Sequence, residues 1–227
     1  MPRSPRIDFP GLIYHVTNRG TNRQAIFLSD QDRQDFLRLA LITRNEFPFI
    51  LHAYCLMTNH FHLLIQTIED SLSRTMQYMT GLYGQRFNRR YGRSGRLHQD
   101  RFHSIPVQDD AYFTVAARYI DLNAVRAGMA LRPEEYPWCS YGRLVRGESD
   151  PLVDPSFLLG YFGKEPTGQR RRYQEFVESM MGKVEPITER ALNRMTAWGN
   201  LSVITSRSAM AQIPTQISTA GQTPAVG

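Results

Sequence analysis

The stretch Met57-Thr58-Asn59-His60-Phe61-His62-Leu63-Leu64-Ile65 constrains the fold more than any other. Apolar residues dominate it, and Phe, Leu and Ile are good strand formers, so it reads as a β-strand. Residues two apart on a strand point to the same face. His60 and His62 therefore stand side by side on one face, with Phe61 on the other. Two imidazoles so placed are half of a metal site. An isolated pair of this kind is short and common. On its own it reads more simply as a satisfied core histidine beside one at the sheet edge.

The flanking chain supplies a frame for that strand. Residues 11–19 predict a first strand, with Leu12, Tyr14 and Val16 on one face and Ile13, His15 and Thr17 on the other. His15 is most simply a strand residue there, with a role near a metal as the weaker alternative. Ser29 or Asp30 caps a helix running to about residue 46, with Phe36, Leu37, Ala40 and Leu41 as its apolar stripe. Residues 49–57 form a second strand, joined tightly through Thr58 and Asn59 to a third over residues 60–67. Ser71 caps the next helix, which ends near Gly92, and residues 101–107 form a fourth strand. Asp109 or Asp110 opens a helix to about residue 127, with Gly128 just past its end. The order β-α-β-β-α-β-α is the ferredoxin-like, split βαβ order with one further helix. The expected class is α+β. Helices cover one face of an antiparallel sheet, the other face is left for a site, and a helical C-terminal extension follows.

The last of these helices contains Tyr119 and Asn123. Four residues apart, they share one helical face. An Asn oxygen is a hard ligand able to complete a site begun by His60 and His62, with Tyr119 one turn away. The plainer reading packs Tyr119 in the core and leaves Asn123 near the helix end. Between residues 86 and 103 lie Arg86, Arg89, Arg90, Arg93, Arg96 and Arg101, opposed only by Asp100 and interleaved with Phe87 and Tyr91. Arginines neutralise phosphates and rings stack on bases, so this run suits nucleic acid. The plainer alternative is a solvated basic helix end. The whole chain has Lys+Arg 27 against Asp+Glu 21, a formal net charge of +6. That balance suits a polyanionic partner.

Cys55 and Cys139 form no C-x-x-C pair, which speaks against a zinc ribbon or a disulfide framework and fits a reducing cytoplasm. The N-terminal stretch carries no apolar run of the signal-peptide kind. No segment approaches the roughly 18 apolar residues needed to span a bilayer. The expected divisions are residues 1–145 for the main domain, 146–198 for an extension with two short helices (near 155–163 and 167–182), and 199–227 for a disordered tail rich in Ser, Thr, Ala, Gln and Gly.

Several segments together resemble the single-tyrosine HUH transposases, specifically the REP-associated tyrosine transposase branch related to small insertion-sequence transposases. They are Tyr14-His15-Val16-Thr17-Asn18-Arg19-Gly20, His52-Ala53-Tyr54, Asn59-His60-Phe61-His62-Leu63-Leu64, Phe87-Asn88-Arg89-Arg90, Arg101-Phe102-His103-Ser104, Arg118-Tyr119-Ile120-Asp121-Leu122-Asn123, Val125-Arg126-Ala127-Gly128 and Tyr136-Pro137-Trp138. The resemblance covers about residues 11–141, in order throughout. It implies His60 and His62 as metal ligands, Asn123 as the third, Tyr119 as nucleophile, and Mg²⁺ or Mn²⁺ as the ion. The implied substrate is single-stranded DNA beside hairpins of repetitive extragenic palindromes (REP), cut through a 5′-phosphotyrosine link and resealed by strand transfer. Arg19 and His103 join the six arginines as implied DNA contacts. The chain departs from the family pattern at Thr58, where Pro is frequent, and at Ala124, where the family often has Asn-Pro-Val. Rival readings are a protein that holds DNA hairpins without cutting, an HUH replication initiator or relaxase, and, last, a zinc hydrolase.

Overall fold

The computed structural model describes residues 9–69, 71–107 and 109–183. Four strands, β1 (Ile13–Arg19), β2 (Phe49–Leu56), β3 (His60–Thr67) and β4 (His103–Pro106), form one sheet in the order β2-β3-β1-β4. Every neighbouring pair is antiparallel. This is the expected ferredoxin-like order. β4 is shorter than expected because Phe102 turns into the core just before it. The preceding chain still touches the end of β1, through the Gln99 amide donating to the Arg19 carbonyl.

Alternation divides the strand residues between two cores. Tyr14 and Val16 of β1 and Phe61, Leu63 and Ile65 of β3 face one side. Leu64 of β3 and Ala53 and Cys55 of β2 face the other. A register shift between Leu51 and Ala53 lets β2 change parity, so Leu51 and Tyr54 share a core although they are three positions apart. The shift is a bulge at His52, one extra residue that bends the strand.

Helices α1 (Asp30–Glu46) and α2 (Leu72–Tyr91) pack on the first face and against each other. Ser29 closes a capping box on α1: its hydroxyl accepts from the Asp32 amide while the Asp32 carboxylate accepts from the amides of Leu28 and Ser29. Such a cap contributes about 1 kcal/mol. The buried face of α1 comprises Asp32, Asp35, Phe36, Leu39, Ala40 and Thr43. The expected stripe therefore holds at Phe36 and Ala40, but Leu37 and Leu41 lie at its margin and two aspartates lie inside it.

The second face is covered, in contrast to the expectation of a free face. Helix α3 (Asp110–Asp121) lies over β2 and β3. Short helices α4 (Asn123–Arg126), α5 (Tyr141–Arg146) and α6 (Ser156–Gly160) follow, with α7 (Gln169–Glu178) packed against α3. The apolar reason is the composition of α3: Phe113, Ala116, Ala117 and Ile120 recur at helical spacing and need a second core. Helices α6 and α7 fall inside the two expected spans, whereas α5 was not foreseen. Residues of the extension join the same core as α3, with Tyr173 and Val177 fully buried. The chain near residue 138 also covers β2, with Trp138 accepting from the Leu56 amide and Cys139 bridging Cys55. This removes an open sheet edge. No helix among the described residues is long and apolar enough to cross a membrane. The tail expected over residues 199–227, and the end of the expected extension, lie outside the described residues.

Candidate active site

Strand register places the histidines. On the face toward α3, Arg19 pairs with His60, Thr17 with both His62 and His103, and His15 with Leu64 and Ile105. His60 and His62 share that face, as their spacing required, and their rings are 5.0 Å apart. His15 leans one row along the sheet. Its Nε2 lies 3.0 Å from Nδ1 of His62, and the two rings stack at 5.2 Å. Tyr119 sets its ring edge-on to both His15 and His62, at 5.7 Å from each. Nδ1 of His60 lies 2.7 Å from the Asn59 side-chain oxygen.

Helix α3 ends at Asp121, and Asn123 opens α4 instead of continuing one long helix to residue 127. The side chain of Asn123 explains the break. Its Nδ2 donates to the Tyr119 carbonyl at 2.9 Å, and Arg126 Nη1 donates to the same oxygen at 3.3 Å. Side-chain donors on that carbonyl compete with the backbone ladder. This orientation commits the Asn123 nitrogen and leaves Oδ1 with no hydrogen bond among the described residues. Arg126 also lies over the Tyr119 ring, 5.0 Å from its centre.

Burial keeps the imidazoles neutral. It lowers His15 to about 4. Burial also lowers His62 well below its ordinary value, reinforced by the neighbouring His15 and His60. Burial and then the Arg19 charge lower His60. Neutral rings offer lone pairs, as metal ligation requires. Nε2 of His62 is buried with no hydrogen-bond partner. Nε2 of His60 and Oδ1 of Asn123 likewise have none among the described residues. Among the described residues these three atoms carry lone pairs that no hydrogen bond uses. His15 is the member that the sequence did not single out. Its place depends on a diagonal cross-strand contact, which strand parity alone does not reveal.

The arginine run divides by geometry. Arg90 pairs with both Asp32 and Asp35, and Arg86 pairs with Asp35 at 2.9 Å. Those two arginines neutralise buried carboxylates and tie α2 to α1, so their charge is spent within the fold. Arg93 donates to Gln24 at 2.7 Å and lies over Phe87. Arg96 and Arg101 line a groove of about 740 Å³ with Gln77, Gln85 and Asn88, on the α2 side of the sheet. Arg89 is exposed beside them. Arg19 donates to Gln99 at 3.2 Å and stands beside His60. His103 is exposed at the start of β4, in the cross-strand row of Thr17 and His62. His98 is half-buried against Phe61, and burial lowers its pKa to about 4.

A ferredoxin-like sheet carrying paired histidines, with a tyrosine helix laid against them, is the class of domain this geometry defines. Residues 8–123 match the family model described as Transposase IS200 like, and the chain belongs to that transposase family. A protein of Haemophilus influenzae (strain ATCC 51907 / DSM 11121 / KW20 / Rd), provisionally named a REP-associated tyrosine transposase, is 27% identical over 158 residues, covering 64% of this chain and 89% of that protein. A solved structure of a REP-associated tyrosine transposase bound to a REP hairpin superposes with a TM-score of 0.56 at 21% identity, covering 68% of this chain and 92% of that one.

Proposed function

We propose that this transposase cuts and rejoins single-stranded DNA through Tyr119, aided by Mg²⁺ or Mn²⁺ held by His60, His62 and Asn123, at REP-type hairpins. The observation that carries the reading is the contact of the Tyr119 ring with His62, whose Nε2 is buried without a partner. A buried polar atom left bare is costly unless it serves a ligand. Two imidazole nitrogens and an amide oxygen suit a hexacoordinate divalent ion that keeps open positions, and imidazole favours Mn²⁺ over Mg²⁺ where both are available. When bound, the ion supplies charge neutralisation at the scissile phosphate.

The chain's own residues do the rest. Tyr119 attacks phosphorus in line through its phenolic oxygen. That bond forms as the bond from phosphorus to the 3′ oxygen breaks, leaving a 5′-phosphotyrosine and a free 3′-OH. Arg126 holds the nucleophile in place: its guanidinium lies over the Tyr119 ring, 5.0 Å from the centre, and donates to the Tyr119 carbonyl. Rejoining reverses the step: a 3′-OH attacks the phosphotyrosine and the phenolate leaves. The link conserves the phosphodiester, so no nucleotide cofactor is consumed. The REP-hairpin substrate is inferred from the names of the two relatives, and the arginine groove fits a polyanion of that kind.

The test is incubation with a hairpin oligonucleotide carrying a single-stranded flank, with and without Mn²⁺, resolved on a denaturing gel. A DNA-bound protein band that requires Mn²⁺ and disappears in Tyr119→Phe, with hairpin binding retained, is the expected result. Undiminished adduct in Tyr119→Phe places the nucleophile elsewhere.

A further inference from the structure

The two histidines on β3 each use Nδ1 for a hydrogen bond inside the protein, and the partners decide which nitrogen carries the proton. For His60 the partner is Asn59. The Asn59 nitrogen lies 3.1 Å from the Arg23 carbonyl oxygen, which only accepts, so that end of the amide must be the NH₂. The amide oxygen is then the atom 2.7 Å from His60 Nδ1. An oxygen of that kind only accepts, so Nδ1 of His60 holds the proton and Nε2 is a bare lone pair.

For His62 the partner is His15, and the deduction runs through burial. One of the two nitrogens 3.0 Å apart must donate. If His15 donated, His62 would carry its proton on Nε2, which is buried with nothing to accept it. If His62 donates from Nδ1, the buried Nε2 carries only a lone pair. The second arrangement leaves no stranded N–H at His62 and puts the His15 proton on Nδ1, which is not among the buried unpartnered atoms of the described residues. Both histidines then present Nε2 lone pairs on the face that Tyr119 covers. His15 contacts no element of the proposed chemistry except through His62 and the Tyr119 ring.

Asn59 has a second connection. The Arg23 carbonyl it holds belongs to a turn over Thr21–Arg23, in which Asn22 and Arg23 adopt left-handed φ values of 51° and 60°. Non-glycine residues are rarely found there. The same side chain therefore secures that turn and the ring of His60.

We propose that His15 and Asn59 are positioning residues that lock His62 and His60 in the Nδ1–H tautomer, so that both Nε2 atoms are presented to one divalent cation. This rests on the reading above that the two histidines hold such an ion. Outer hydrogen-bond partners of ligating histidines set ring orientation and basicity, and their loss typically lowers metal affinity about 10–100-fold.

The test begins with the metal-free wild-type protein, labelled with ¹⁵N at histidine. Long-range ¹⁵N–¹H correlation spectra are expected to show His60 and His62 as Nδ1–H tautomers. Mn²⁺ binding is then followed by the paramagnetic resonance of the free ion. His15→Leu, which has no acceptor, should lose the Nδ1–H preference of His62 and bind Mn²⁺ about 10–100-fold more weakly. His15→Gln, which keeps an acceptor, should retain most of the affinity, and Asn59→Asp should preserve the tautomer of His60. A wild-type spectrum with His62 protonated on Nε2 overturns the proposal without needing any variant to fold. So does a folded His15→Leu protein with unchanged tautomer and unchanged Mn²⁺ affinity. Wild-type protein that shows both Nδ1–H tautomers yet takes up no Mn²⁺ supports the tautomer assignment and overturns the cation reading instead.

Discussion

Asn123 donates its side-chain amide to the backbone carbonyl of Tyr119, at 2.9 Å. The two polar residues of the tyrosine helix are thus joined at the point where α3 gives way to α4. The bond commits the Asn123 nitrogen and leaves its oxygen without a hydrogen bond among the described residues. It also makes the position of Tyr119 depend on Asn123 through backbone as well as through any shared ligand.

Non-additivity at the metal is the first consequence. His60→Ala, His62→Ala and Asn123→Ala should each depress cleavage, and the double histidine variant should be little worse than either single one. Ligands of one ion act as a unit, so losing the ion once removes most of the benefit. Added Mn²⁺ should partly rescue Asn123→Ala, where both imidazoles remain, and rescue the double variant poorly. Cleavage rate against Mn²⁺ concentration reads this directly, with thermal melts as the folding control. Folded single histidine variants that cut at the wild-type rate with the same metal requirement would remove His60 and His62 from the chemistry.

DNA affinity should respond unequally to the arginines. Arg89, Arg96 and Arg101 have no ion-pair partner among the described residues, whereas Arg86 and Arg90 are occupied by Asp32 and Asp35. Replacing the first three with Ala should flatten the plot of log binding constant against log salt by up to about 2, at roughly 0.7 per phosphate contact on single strands. The measurement is hairpin affinity by fluorescence anisotropy across a salt series. An unchanged slope would return these side chains to a solvated surface.

The α1–α2 ion pairs should show themselves in stability. Arg90→Ala removes the guanidinium shared by two buried carboxylates, and because Asp35 keeps Arg86 and Asp32 keeps Tyr91 and two amides the cost should not exceed about 3 kcal/mol. Burial alone would raise the Asp32 carboxyl. Hydrogen bonds from Tyr91, Arg90 and the Leu28 and Ser29 amides outweigh that effect and hold it below its ordinary value of 3.8. A carboxyl depressed in the folded state contributes stability above that ordinary value and loses it as pH falls through the folded one. Urea melts below about pH 4 should therefore show wild-type stability falling, with a shallower fall in Arg90→Ala. Equal slopes would mean the carboxylates are held by something other than Arg90.

Much of the site was legible because period-2 alternation is strict. The bounds of β3 and the shared face of His60 and His62 follow from it, and the four-residue spacing of Tyr119 and Asn123 shows as the bond from Asn123 Nδ2 to the Tyr119 carbonyl. What stayed hidden depends on register or on distant partners. His15 meets His62 only because β1 and β3 pair with Thr17 opposite His62. Asp32 and Asp35 lie on the buried face of α1, and the arginine that pairs with them lies 55–58 positions away, beyond the reach of any local pattern. The helix break after Asp121 arises from a side chain competing for a carbonyl, and Ala124 offered no warning of it.

Asp121 carries the last prediction. It is buried beneath α7, where Tyr173 donates to its Oδ2 and Cys139 lies 3.6 Å from its Oδ1. Burial raises its carboxyl from 3.8 to about 7, against the opposing effect of those two hydrogen bonds. Here the folded protein binds the proton more tightly than the unfolded chain does. Stability should therefore fall as pH rises from about 4 to about 7, and level off above that. At 1.36 kcal/mol per pH unit, the full interval amounts to at most about 4 kcal/mol. Asp121→Asn keeps an acceptor for Tyr173 and has no charge to bury, so it should remove this slope and stabilise the protein at pH 8. Because Asp121 sits two residues beyond Tyr119 on the same helix, the variant also tests whether the extension steadies the tyrosine. Urea-melt free energies at pH 5 and pH 8 decide the matter. A wild-type protein as stable at pH 8 as at pH 5, with Asp121→Asn no more stable at pH 8, would show that the carboxyl is ionised at no cost to the fold.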